Sequence, residues 1–204
     1  MLFEDTYFTV KQAAEYTFAD RGSKFIAFVY PITSESEIKP LINQLKTAHP
    51  KANHHCWGMR ITPDRSVFKV NDDGEPSGTA GRPILNVMLS KNVTNTLIVV
   101  VRYFGGKLLG VPGLINAYKT AAEQGLAAAG IVEKVSSDVY SIDFDYLQMN
   151  DVMKILKDEG VNILEQHADN TCTIKIAVRK LKISQTINKL SSLYSVTTNY
   201  LYSI

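Results

Sequence analysis

The sequence holds only two cysteines, Cys56 and Cys172, far apart and in no CxxC pair. That excludes a disulfide framework and a cysteine-built zinc cluster, and two buried thiols are expected instead. Long hydrophobic runs are missing too, since no apolar stretch approaches the roughly 18 residues of a membrane span. The start, MLFEDTYFTV, places acidic residues before any basic one and has no small-residue cleavage site, so no signal peptide is read there. The cytoplasm is the expected location, with no membrane partner. An excess of one charge is also absent: the net charge of +2 does not announce a nucleic-acid protein. The charge is unevenly spread, however. Residues 1 to 134 hold 15 Lys+Arg against 12 Asp+Glu, and residues 135 to 204 hold 7 against 8. A polyanion partner is therefore expected at the first part.

What is present is globular in kind. An apolar fraction of 45% and a charged fraction of 21% over 204 residues predict a soluble chain of one or two domains, each with a core. SKFIAFVYPI, residues 23 to 32, reads as a strand. Ile38, Leu41, Ile42 and Leu45 then fall at helical spacing, with Ser34 or Ser36 as N-cap and Pro50 as a stop. Residues 54 to 61 and 66 to 70 predict a hairpin, and Pro83 opens a short apolar helix to about Leu89. TNTLIVVVRYF, residues 94 to 104, has the continuous β-rich character of a strand buried on both faces. An alanine-rich helix runs from Leu114 to about Ala129, where Gly130 closes it. The last 67 residues follow the order β-α-β-β-α-β of the ferredoxin-like motif, which places a boundary near residue 136 between domains 1–136 and 137–204.

Two glycine-rich stretches carry the chemistry. The first, NDDGEPSGTAGRPIL, spans Asn71 to Leu85. Asp72, Asp73 and Glu75 are carboxylates suited to a hard cation, but the EF-hand spacing is absent. The same residues fit an Asp-Gly turn whose side chains cap nearby amides. Ser77, Gly78, Thr79 and Gly81 lie before the start of a helix, where free N–H groups favour an anion, and Arg82 adds a guanidinium fork. The second stretch follows the buried strand: Arg102, Tyr103, Phe104, Gly105, Gly106 and Lys107, then LLGVPGL. Val111 and Pro112 stand where a P-loop needs Lys and Ser or Thr, so Walker-type hydrolysis is disfavoured. If the two loops converge, Arg82, Arg102 and Lys107 make one basic, glycine-lined face, with Tyr103, Phe104 and Tyr118 available to stack bases.

His54 and His55 precede Cys56 and Trp57 on the predicted strand, where alternation sends His54 and Cys56 to one face and His55 and Trp57 to the other. They cannot all ligate one ion. No metal site and no cofactor are predicted. A triad of Ser77, either histidine and Asp72 can be written, although Ser77 sits in EPSGT and not in GxSxG.

DDGEPSGTAGRPIL, followed by VVVRYFGGKLLG and GLINAY, resembles the signature of the IMPACT/YigZ family, and SKFI with HHCW fits its earlier strands. The resemblance covers residues 20 to 130 closely. It implies an α+β chain of two domains: a left-handed β-α-β domain, as in domain two of ribosomal protein S-five, followed by a ferredoxin-like βαββαβ domain like that of bacterial members. The same pair of folds occurs in domains four and five of elongation factor G, which implies contact with RNA or the ribosome. Eukaryotic members carry a separate RWD domain in a kinase pathway, and that role does not carry over. One departure is visible: the family's Gly-Thr-Gly-Gly-Leu run is here Gly110-Val111-Pro112-Gly113-Leu114, which removes a hydroxyl and a backbone donor.

Three functions compete on this reading. The first is a non-enzymatic regulator in translation that binds nucleic acid or the ribosome through Ser77, Gly78, Thr79, Gly81, Arg82, Arg102, Tyr103, Gly105, Gly106 and Lys107. The second is an enzyme on a small phosphorylated or peptide substrate, with Asp72, Asp73, Glu75 and His54 or His55 as acid, base or metal ligands. The third gives the function to a protein partner of the C-terminal domain.

Overall fold

A computed structural model describes residues 5–168 and 171–204; the first four residues of the MLFEDTYFTV start lie outside that range. The described residues form eleven strands and five α-helices in two compact units, an α+β architecture.

The first unit, Tyr7–Lys134, is built on a five-stranded antiparallel sheet. In chain order its elements are β1 (Thr6–Val10), β2 (Ala14–Asp20), β3 (Ser23–Pro31), α1 (Ile38–Ala48), β4 (His54–Ile61), β5 (Val67–Asn71), α2 (Gly81–Ser90), β6 (Thr96–Tyr103), α3 (Gly110–Ala129) and β7 (Ile131–Val135). The sheet order is β2-β3-β6-β4-β5, while β1 and β7 pair separately. The VVV run of β6 lies at the centre because both of its faces are apolar. Ile98 and Val100 join α2 and α3 in one core, and Leu97, Val99 and Val101 join α1 in another. Ser34 supplies the cap expected before α1, with Glu37 completing a capping box on the short 3₁₀ turn that precedes the helix.

Strand pairing then sets one row of the sheet. Phe25 of β3 lies opposite Arg102 of β6, and Arg102 lies opposite His54 of β4. Lateral neighbours in a sheet share a face, so these three side chains all turn toward α3. Their sequence neighbours His55 and Tyr103 turn to the α1 side.

The second unit takes Val135–Ile204 together with Asp5 and Thr6. Its elements are β8 (Ser137–Asp145), α4 (Met149–Glu159), β9 (Asn162–Ala168), β10 (Thr171–Arg179), α5 (Ile183–Ser191) and β11 (Thr197–Ser203). The antiparallel order β11-β8-β10-β9 is the ferredoxin-like arrangement. Ile142, Phe144, Ile174 and Ile176 of the sheet bury against Val152, Leu156 and Leu190 of the helices. Gly160, in the left-handed region at φ 64°, ends α4. Asp5 is buried at 4% exposure and takes two hydrogen bonds from Arg179, at 3.0 and 3.2 Å, while its carbonyl accepts the Ser136 N–H.

Arg179→Ala would leave the Asp5 carboxylate buried without its partner. Because Arg179 is half exposed, the expected loss is about 1–2 kcal/mol, below that of a fully buried pair. Chemical denaturation followed by a probe in the second unit checks it.

Candidate functional site

The Asn71 to Gly81 loop is organised by Asp72. Its Oδ1 accepts the N–H groups of Ala80 at 3.1 Å and Gly81 at 2.8 Å, and its Oδ2 accepts that of Gly78 at 2.9 Å. Ala80 and Gly81 stand at the start of α2, where unpaired donors and the helix dipole call for negative charge, and Gly78 lies in the loop just before it. The chain supplies that charge itself. Asp73, at φ 42°, donates its N–H to Asn71 Oδ1 and accepts the His55 N–H at 2.7 Å through Oδ2. Gly81 is required by packing, since a Cβ there would meet the Asn71 nitrogen at 2.8 Å. Ser77 and Arg82 remain exposed at the surface.

Glu75 turns the other way, into the protein. Its Oε1 accepts Arg102 Nη1 at 2.5 Å and the Tyr118 hydroxyl at 2.7 Å. The Arg102 guanidinium lies between the rings of Phe25 and Phe104, 5.4 and 5.5 Å from their centroids, where cation–π attraction offsets part of its desolvation. His54 Nδ1 lies 2.8 Å from the Asp73 carbonyl oxygen, an acceptor only, so Nδ1 carries the proton. Its Nε2 faces Glu75 Oε1 at 3.8 Å. Cys56 Sγ sits 2.9 Å from the Asp72 carbonyl and 3.3 Å from the Tyr118 hydroxyl. Burial pushes the Cys56 thiol and the Tyr118 phenol well up, so the first is no thiolate nucleophile and the second stays a hydrogen-bond donor.

The second loop meets the first. Gly105 follows β6 so closely against the start of β3 that a Cβ would lie 1.9 Å from the Gly22 carbonyl carbon. Its N–H goes to Ser23 Oγ, and the Phe104 N–H goes to Asn53 Oδ1. Gly106, with φ 83° and open space around it, carries the turn into exposed Lys107 and Leu108. Residues 110 to 114 form the first turn of α3, so Pro112 falls where the helix has no amide partner to lose. Between the loops opens a cavity of about 470 Å³. Asn53, His54, Glu75 and Arg102 provide its polar groups; Pro76, Phe104, Leu108, Leu109, Val111 and Leu114 provide the apolar ones, and Gly110 completes the lining.

The structure thus separates residues that the sequence grouped together. Glu75, Arg102 and His54 share the cavity, and Gly106 and Lys107 belong to the loop that bounds it. Asp72 and Asp73 are turned to backbone amides, and Asp72 faces no imidazole as a triad would need. Tyr103 bonds His49 Nδ1 at 2.9 Å on the α1 side, as alternation along β6 dictates, and is not beside Arg102. His55 is buried on that same side. Among the described residues no three His, Cys, Asp or Glu side chains are grouped to hold a metal ion. Asn53, Leu109 and Leu114 went unnoticed as site residues. Asn53 had a signal, as a polar residue immediately before a strand, but its partner lies on a distant loop.

Two predictions follow from these contacts. Asp72→Ala removes the acceptor of the two buried amides at the α2 terminus, Ala80 and Gly81, and of the exposed Gly78 amide before it, and should cost about 1–2 kcal/mol in a denaturation experiment. His55 is held neutral, its basicity lowered mainly by burial and partly restored by Asp73. The unfolded chain therefore binds the extra proton first. Stability should be fully present above about pH 6.5 and decline as pH falls toward the depressed folded value, with His55→Gln flattening the profile.

Residues 21–126 match the model of the Impact N-terminal domain. The chain is 36% identical over 162 residues to the IMPACT family member YvyE of Bacillus subtilis, covering 79% of this chain and 75% of that protein. It is 29% identical over 173 residues to the IMPACT family member YigZ of Escherichia coli, covering 84% and 85% respectively. A solved structure described only as a hypothetical protein aligns over 98% of both chains at a TM-score of 0.72 and 26% identity.

Proposed function

Because the chain belongs to the IMPACT family, we propose that it is a non-enzymatic, translation-associated protein that contacts RNA or the ribosome through the mouth of the cavity between its two glycine-rich loops. The translational setting is the one the family resemblance implies. The observation that carries the choice of site is the meeting of both loops at one cavity. Internal bonds already occupy several of the groups first assigned to phosphate. The Gly78, Ala80 and Gly81 amides hold Asp72, and Arg102 holds Glu75. Phosphate contact therefore falls to exposed Lys107, with exposed Arg82 as a further cation of the same unit. Phe104, 44% exposed, offers a ring at the rim.

One observation favours an enzyme as a second reading: His54 Nε2 and Glu75 face each other at 3.8 Å inside the cavity, an acid–base pair in form. Against it, the Glu75 oxygen that faces His54 already accepts hydrogen bonds from Arg102 and Tyr118.

Anisotropy titrations of the full chain with single-stranded RNA and with ribosomal subunits, across a salt series, test the proposal. Affinity should fall linearly with salt on a logarithmic plot, and Lys107→Ala should reduce the slope by about 1. Salt-independent affinity, or no binding to either probe, overturns it.

A further inference from the structure

We propose that the interior of the cavity takes an α-carboxylate with an N–H on the same carbon and an apolar side chain: an apolar amino acid, either free or at the end of a peptide. This goes beyond RNA contact at the mouth and does not rest on it. Arg102 is only 5% exposed and hydrogen-bonds through Nη1 alone. Its flat faces are covered by Phe25 and Phe104, and Nε is buried without a partner. The open donor of the guanidinium is therefore Nη2, on a residue that lines the cavity. Further donors belong to the same lining. The helix α3 is 20 residues long, no side chain caps it, and the first-turn N–H groups of Gly110 and Val111 have no acceptor among the described residues. Asn53 adds another, because its Oδ1 accepts the Phe104 N–H and its amide nitrogen is left over. Donors from three segments call for an oxygen ligand, and the helix terminus favours an anionic one.

Glu75 limits the charge that fits. It already offsets Arg102, so the excess positive charge is that of the helix terminus, about half a unit. A phosphate dianion would lie beside the Glu75 carboxylate with too little to balance it, whereas a carboxylate brings a single charge. Glu75 also calls for a donor: Oε1 accepts Arg102 and Tyr118, and no hydrogen bond reaches Oε2 among the described residues. Because Glu75 and Arg102 are bonded to each other, the acceptor and the donor of the ligand must lie close together. An amino acid holds both on one carbon, its carboxylate answering Arg102 and its N–H answering Glu75. The match is the same for either protonation state of His54, whose Nε2 faces the occupied Oε1. Pro76, Leu109, Val111 and Leu114 form apolar wall for the side chain. The volume of about 470 Å³ lies within the range of roughly 300–1,000 Å³ usual for small-ligand sites.

Calorimetric titration of the full chain with leucine, N-acetylleucine and the carboxamide of each tests the site. At least one of the two carboxylates should bind, and about tenfold or more tightly than its carboxamide. Binding of N-acetylleucine identifies a peptide terminus as the source, and binding of leucine alone a free amino acid. Isocaproate, which keeps the carboxylate and the apolar chain but has no N–H, should bind more weakly than the better probe. Val111→Trp, at a half-exposed rim position, should fill the cavity and abolish binding while the circular dichroism spectrum stays unchanged. No binding of either carboxylate, equal binding of a carboxamide or of isocaproate, or binding untouched by Val111→Trp overturns the proposal. RNA contact is decided separately by the anisotropy titrations, so either can fail alone. Glu75→Gln serves as a second variant: if it folds by the same criterion, it should narrow the gap between the better probe and isocaproate. A folded variant with that gap intact also overturns the assignment.

Discussion

The Glu75–Arg102 pair ties together three segments that sequence order keeps apart: the loop after β5, the end of β6 and, through Tyr118, the middle of α3. A buried ion pair depends on close geometry and fixed surroundings to offset the loss of water. Both shape this region, although Arg102 Nε stays buried without a hydrogen-bond partner. Phe25 and Phe104 enclose the guanidinium, Tyr118 completes the carboxylate, and the neighbouring Asp72 holds the loop against the start of α2. The cavity follows from this arrangement, because its polar wall is the exposed side of the same cluster.

Asp72 shows how an apparent anion site can be filled from within. Glycines and small residues before a helix give amides that need negative charge, and the sequence cannot say whether a ligand or a nearby carboxylate provides it. Here the carboxylate lies six to nine residues upstream of its three partners. The acidic and glycine-rich parts of the same stretch are therefore two halves of one capping device.

Much of the fold was legible because it rests on strong periodicity: the doubly buried β6, the amphipathic α1 and the six-element order of the second unit. Strands β1, β2 and β7 were not foreseen. β2 is an exposed edge strand whose polar residues hide its alternation, and β1 and β7 are short and pair with each other apart from the main sheet. For the site, alternation correctly separated His54 from His55, but the same rule was not applied to Arg102 and Tyr103. The coupling of Glu75 to Arg102 had no local signal at all, since it depends on the register of three strands and the path of a loop. Pro112, taken as a loss of binding capacity, falls in the first turn of α3, where a missing amide costs the helix nothing.

The contact of Gly105 with Gly22 has a meaning beyond packing. Antiparallel pairing brings the start of β3 beside the end of β6, and the two glycines touch there through bare backbone. Neither position is free to drift alone. Related chains that carry a side chain at one of them would need an altered turn at the other, so these two sites should change together during descent, and the loop bearing Lys107 inherits its placement from the turn between β2 and β3.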